Sequence, residues 1–80
     1  MGKAIIYHVG GLEDLQAMDK TSLDNLKVWE VINNYECEGD IAKALWESDS
    51  MGISAIEKSK KWNHLIVMAG ADVFIVEVSE

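Results

Sequence analysis

The stretch "HLIVMAGADVFIVEV", residues 64–78, decides the fold. It contains two apolar runs, rich in β-branched residues, separated by a glycine-containing turn at residues 70–72, which is the signal of a β-hairpin. Both runs are apolar at consecutive positions instead of alternating, a pattern typical of strands buried on both faces. We therefore predict a C-terminal hairpin within a sheet that is covered on both sides.

The N-terminal segment predicts a further strand and a helix. "KAIIYHV", residues 3–9, combines β-branched and aromatic residues and is closed by two glycines. We expect it to form a three-stranded, mainly antiparallel sheet with the hairpin. "LEDLQAMD", residues 12–19, has apolar residues at helical spacing and two acids in its first turn, so it predicts a helix that ends near Lys20.

The middle of the chain is more ambiguous. "TSLDNLKVWEVINNY", residues 21–35, is predicted as a helix from its apolar spacing, while its β-branched content leaves a strand open. "DIAKALWESD", residues 40–49, predicts a short helix with Asp40 as its N-cap. "SMGISAIEKSKKW", residues 50–62, favours a helix over an irregular run. The prediction is one α+β domain over residues 1–80 with two to three short helices.

The sheet raises the question of what covers it. Eighty residues are near the lower limit for a single self-sufficient core. A few short helices must either divide between both faces of the sheet or leave part of it as an apolar surface. We expect the second arrangement, which predicts a homodimer or an obligate partner on the apolar sheet face.

Charge is the most distinctive global property. The chain has 14 acidic residues, 7 lysines and no arginine, for a net charge of −7, and residues 1–50 hold 10 of the acids with 4 of the lysines. Direct nucleic-acid binding is disfavoured because phosphate contacts need a basic patch and base readout relies on arginine. The cluster Lys58, Lys60 and Lys61 is interpreted as a solvated helix end.

Targeting signals and disulfides are not expected. One cysteine cannot form an internal disulfide, which favours a reducing compartment and a cytoplasmic location. The N-terminal apolar run is too short for a signal sequence, and "LIVMAGA", residues 65–71, is much shorter than a membrane span. We therefore expect a soluble protein without membrane association.

The acidic segment "NNYECEGD", residues 33–40, resembles the start of a calcium loop. Its oxygen-bearing side chains and Gly39 match the first six positions of the EF-hand pattern when counted from Asn34, but position 12, which requires a bidentate glutamate, is Leu45. The closing ligand is therefore missing and no metal site is predicted. We interpret the segment as an acidic turn connecting two helices.

No catalytic constellation emerges. Cys37 is flanked by two glutamates and lacks the electropositive setting of a nucleophilic cysteine. His8 and His64 lie beside predicted strands, without further ligands at zinc-binding spacing. The paired glycines at residues 10–11 lack the remainder of a phosphate-binding motif. We predict no enzyme activity, no catalytic residues and no cofactor.

The remaining hypothesis concerns protein binding. Among Trp29, Trp46 and Trp62, the second has acidic neighbours and is the best candidate for an exposed anchor. The predicted contact surface for a basic, nucleic-acid-handling partner comprises Glu36, Glu38, Asp40, Trp46, Glu47 and Asp49.

In size, acidity and lack of arginine the chain resembles nucleic-acid-mimicking inhibitors, including anti-CRISPR and other phage counter-defence proteins. That resemblance implies that carboxylates occupy the places where a partner binds phosphates. The alternative is a homo-oligomeric structural or small-ligand-binding domain that uses the apolar sheet face.

Overall fold

The computed structural model describes residues 2–18, 24–59 and 64–79. These residues form five strands and two helices in the following order: β1 (Gly2–Gly10), α1 (Leu12–Ala17), β2 (Lys27–Tyr35), α2 (Glu38–Asp49), β3 (Ala55–Lys58), β4 (Leu65–Ala69) and β5 (Asp72–Ser79).

The strands form one sheet in the order β2-β1-β5-β4-β3, and each neighbouring pair is antiparallel. The α+β class is confirmed, and so are the first strand, the first helix and the helix predicted over residues 40–49. The predicted three-stranded sheet is two strands too small, because β2 and β3 arise from segments that we expected to be helical.

The C-terminal hairpin is confirmed. Strands β4 and β5 pair with Ala69 opposite Asp72, which leaves two residues in the turn. Gly70 adopts a positive φ of 65°, a conformation that a glycine reaches without steric cost. Val73, Phe74, Ile75 and Val76 are all buried, as expected for a strand covered on both faces.

Strand β2 replaces the helix predicted for residues 21–35. The prediction is wrong over residues 27–35, and residues 21–23 lie outside the described part of the chain. The strand alternative, which rested on β-branched content, is the one the chain adopts.

The pairing of β2 with β1 explains the helical appearance of the sequence. Ile6 pairs with Glu30 and Tyr7 with Val28, so one step along β1 matches two along β2 and Trp29 is an extra residue in a β-bulge. Such a bulge interrupts the alternation by which a strand is usually recognised.

A second bulge lies near the end of β2. Gly2 pairs with Tyr35 and Ala4 with Ile32, so two steps of β1 match three of β2. Because of the two bulges, residues spaced by three along β2 pack against the same side of the core, namely Trp29, Ile32 and Tyr35. This spacing imitates a helical face.

Strand β3 overturns the helix favoured for residues 50–62. Its four residues pair with β4 from Ala55 opposite Met68 to Lys58 opposite Leu65, and the N–H of Ser54 donates to the Met68 carbonyl. Residues 60–62, including Trp62, lie outside the described part. The ladder with β4 satisfies the backbone groups of β3, and Gly52 disfavours the helical alternative.

The two helices cover opposite faces of the sheet, which corrects the expectation that one face is left for a second chain. Ile41 and Leu45 of α2 are buried in the larger core cluster, with Ile6 and Phe74. The smaller cluster lies on the other face of the sheet. It contains Leu15 of α1, Met18 just after that helix, and the strand residues Ile66, Val73 and Ile75. Among the described strand residues, the large apolar side chains that remain exposed are Val28 and Val31 of β2 and Val78 of β5.

Candidate protein-binding groove

Asp40 fixes the start of α2. Its Oδ2 accepts hydrogen bonds from the backbone N–H of Glu36 at 2.8 Å and of Cys37 at 3.1 Å. These hydrogen bonds hold the pKa of the Asp40 carboxyl below its ordinary value, the bond from Glu36 being the larger cause. Cys37 is the N-cap and Asp40 is the third helical residue, so the sequence prediction of Asp40 as N-cap is wrong by three positions.

"NNYECEGD" is therefore a turn, but it joins a strand to a helix and not two helices as predicted. The carboxylate of Asp40 is bonded to the backbone of the same turn. Elsewhere in the described residues as well, no group of three or more His, Cys, Asp or Glu side chains is arranged to hold a metal ion.

A groove runs between β2 and α2. It has a volume of about 570 Å³, within the range of about 300 to 1,000 Å³ for ligand sites. One wall comes from the strand and the other from the flank of α2 beside its buried Ile41 and Leu45. The described lining residues are Glu30, Val31, Ile32 and Asn34 of β2, and Asp40, Lys43, Ala44, Glu47 and Ser48 of α2.

The groove is acidic. Its described lining carries three carboxylates, from Glu30, Asp40 and Glu47, against the single ammonium group of Lys43. Lys43 lies one helical turn from both Asp40 and Glu47 and neutralises only part of their charge. The groove therefore attracts a positively charged group.

Glu30 joins the two walls. Its Oε1 accepts a hydrogen bond from the Val31 N–H at 3.2 Å, and its Oε2 accepts one from the Ser48 hydroxyl at 2.8 Å. Among the described strands, β1 is the only neighbour of β2, so every second backbone group of β2 faces outward. The carboxylate of Glu30 stands where the carbonyl oxygen of a further strand would accept from Val31.

The structure brings together only some of the residues predicted to bind a partner. Asp40 and Glu47 line the groove. Trp46 precedes Glu47 and points about 100° away around the helix, and it is 60% exposed. Asp49 is exposed one turn after Trp46, on the same side of α2.

The two remaining predicted residues lie elsewhere. Glu36 is exposed in the turn before α2. Glu38 borders a smaller pocket of about 320 Å³ with Tyr35, Lys58 and His64. There, burial and then the nearby charge of Glu38 raise the pKa of Tyr35, so its hydroxyl is protonated at neutral pH.

Sequence reasoning missed Glu30, Lys43 and Ser48 as groove residues. Glu30 was assigned to a helix, so nothing indicated that it faces α2. The signal that could have found it is the strand alternative for residues 26–32, which places this acid in a segment rich in β-branched and aromatic residues.

The histidines have carboxylate partners. His8 Nε2 lies 3.3 Å from Asp72 Oδ1, and His64 Nε2 lies 3.5 Å from Glu77 Oε2. The His8 ring also packs against Trp29 and Phe74, with centroids 5.4 and 5.2 Å away. These contacts account for the His8 imidazole through packing and pairing with an acid, whereas the Nδ1 of His64 is buried without a hydrogen-bond partner. The thiol of Cys37 is exposed.

Neither described helix has the length and hydrophobicity to cross a membrane. The groove between β2 and α2 must therefore be interpreted from its own geometry and charge. Comparison with protein-family models, curated proteins and solved structures finds no match for this chain.

Proposed function

We propose that this protein is a non-enzymatic binding module that docks its acidic surface on a basic surface of another protein. The observation that carries the proposal is the acidic groove beside the exposed ring of Trp46. Residues 36–49 contain five acids and one lysine, so acidic side chains also stand outside the groove, at the turn and along α2. Complementary charge accelerates encounter and selects partners, while a large aromatic ring supplies contact energy.

The proposed partner is a nucleic-acid-handling protein. Such proteins concentrate lysine and arginine where they contact phosphates. Exposed carboxylates on a small rigid domain can occupy the same positions, so the module would act as an inhibitor that competes with nucleic acid. Size, acidity and lack of arginine support this partner class and the anti-CRISPR or counter-defence type of inhibitor.

The test requires variants that change charge without unfolding α2. Asp40 is unsuitable for reversal because its carboxylate holds the helix start. All substituted side chains are exposed, and the two sets change net charge equally. The site variant is Glu36→Lys with Glu38→Lys and Glu47→Lys, and the control variant is Glu13→Lys with Asp24→Lys and Glu57→Lys.

Each form is tagged, expressed in the native host and recovered after nuclease treatment, and its bound proteins are eluted with a salt gradient and identified by mass spectrometry. We expect one nucleic-acid-handling protein to elute at moderate salt from the wild type and the control variant but not from the site variant. Equal recovery from both variants would show that the surface at residues 36–49 is not the contact. Recovery of only the protein itself would favour self-association.

A second candidate function, homo-oligomerisation, is favoured by an exposed apolar patch. Val28 is 49% and Val31 36% exposed, and they pair with Tyr7 and Ile5 on β1. This patch is smaller than the uncovered sheet face expected from the sequence. Light scattering distinguishes the two functions, because a dimer held by apolar contact keeps its mass when salt is raised.

A further inference from the structure

We propose that the outer edge of β2 receives an extended, lysine- or arginine-rich segment of the partner as an additional strand, with α2 as the opposite wall. This inference rests on the proposed function and specifies how the partner is recognised. In strand addition, backbone hydrogen bonds supply affinity and the side chains on each face supply selectivity.

The geometry of the sheet favours β2 over the other outer strand. Within the described residues β2 is nine residues long, whereas β3 has four. A short outer strand is one of the ways in which proteins prevent pairing with other chains, and a long one leaves a usable edge. The β2 edge also borders a groove in which a second wall can contact the added segment.

Charge identifies the occupant. An added strand would pass Glu30 on β2 and face Asp40 and Glu47 on α2, with Lys43 as the one described cation of the lining. A segment with lysine or arginine at alternate positions would direct its cationic side chains to the α2 side of the groove, because side chains alternate along a strand. An acidic segment would be repelled by the same carboxylates.

In the free protein, the Glu30 carboxylate accepts the hydrogen bond from the Val31 N–H that a carbonyl of the added strand would accept. Its Oε1 accepts from the Val31 N–H and its Oε2 from the Ser48 hydroxyl. A carbonyl of the incoming segment would replace the carboxylate at Val31. The released oxygen of Glu30 would then be free to pair with a cationic side chain of the segment, so the Val31 N–H keeps an acceptor before and after binding.

The test uses three synthetic peptides. The probe is Ac-KVKVKVK-NH2, the first control has the same sequence with N-methylated backbone amides at alternate residues, and the second control is Ac-EVEVEVE-NH2. Binding to the full chain is followed by amide chemical shifts and hydrogen exchange. We expect protection of the Val31 amide by the probe and at least about tenfold weaker binding of the N-methylated peptide, which keeps the charge but loses the pairing.

A backbone variant tests the same edge from the protein side. Val31→Pro removes an N–H that points away from β1, so the ladder within the sheet keeps its hydrogen bonds, and proline is tolerated on outer strands at such positions. Val31→Ala keeps the N–H and is the control. We expect the proline variant to lose at least about tenfold in affinity for the probe and the alanine variant to bind as the wild type does.

The outcomes separate this inference from the proposed function. If both lysine peptides bind alike and Val31→Pro has no effect, charge is recognised without strand addition, which overturns the inference and leaves the proposed function standing. If no peptide binds, the inference fails and the pull-down alone decides the function. If the glutamate peptide binds as tightly as the probe, the charge argument for both is wrong. The peptide controls remain decisive if Val31→Pro fails to fold.

Discussion

Truncation of Leu45 tests whether α2 is anchored to the sheet, on which the groove depends. Leu45 has no exposed surface, and it and Ile41 are the two buried side chains of α2. Leu45→Ala removes three carbon atoms, about 2.4 kcal/mol at about 0.8 kcal/mol each. The cavity left behind raises the expected loss to about 3 kcal/mol, within the range of about 2 to 5 kcal/mol for buried leucines.

Such a loss is large for this chain. An 80-residue domain has a free energy of unfolding of about 4 to 12 kcal/mol. A decrease of about 3 kcal/mol corresponds to a fall of about 12 to 24 °C in Tm. Urea unfolding followed by tryptophan fluorescence and circular dichroism measures the free energy directly from the midpoint and slope.

Leu12→Ala is the matched control because it makes the same chemical change at a side chain that is 47% exposed on α1. We expect it to cost less than about 1 kcal/mol. If Leu45→Ala costs no more than Leu12→Ala, α2 does not pack on the sheet as described. The groove would then lack its second wall, and the reasoning that leads from the fold to the binding site would be refuted.

Three further predictions concern the turns and helix ends. Backbone N–H groups lower the pKa of Asp40 from 3.8, so its carboxylate stabilises the fold above that pH and loses this effect as the pH falls through the folded-state pKa. The Tm values of the wild type and Asp40→Asn should therefore converge at acid pH. A Tm difference that stays constant with pH would contradict this. Gly10→Ala should lower the free energy of unfolding by about 1 kcal/mol or more, because φ is 109° and the new Cβ would lie 2.8 Å from Asp14 Oδ2. Gly52→Ala, whose Cβ would have no atom within 4 Å, should raise it by up to about 1 kcal/mol. Urea unfolding that gives both changes the same sign would disprove the argument. Cys37→Ser places a better N-cap on α2 and should raise the urea midpoint, by up to about 1 kcal/mol in free energy of unfolding, and a lower midpoint would count against the assigned cap.

The sequence was informative where local signals agreed and misleading where a bulge intervened. The hairpin was predictable because both runs were apolar and a glycine separated them. β2 was not, because Trp29, Ile32 and Tyr35 are spaced like a helical face although they belong to a strand. Apolar periodicity reports which residues are buried, and it identifies the secondary structure only when the element is regular.

The candidate site followed the same division. Asp40 and Glu47 are predicted from their charge near Trp46, and they line the groove from α2, a helix whose limits are nearly correct. Glu30 was missed because its contact with Ser48 joins residues 18 positions apart and depends on the strand that was misassigned. Residues brought together by tertiary structure cannot be found from composition or spacing when one of the two elements is wrong.

The second bulge of β2 also determines where α2 lies. Ile32 and Tyr35 contact the same side of the core only because the strand has one residue more than its partner between them. In a regular strand, residues three apart point to opposite faces. Without the extra residue the chain would leave the sheet toward the face that α1 covers, and both helices would compete for one side. One extra amino acid, since Asn33 and Asn34 together face only Lys3 of β1, thus gives the domain a helix on each face.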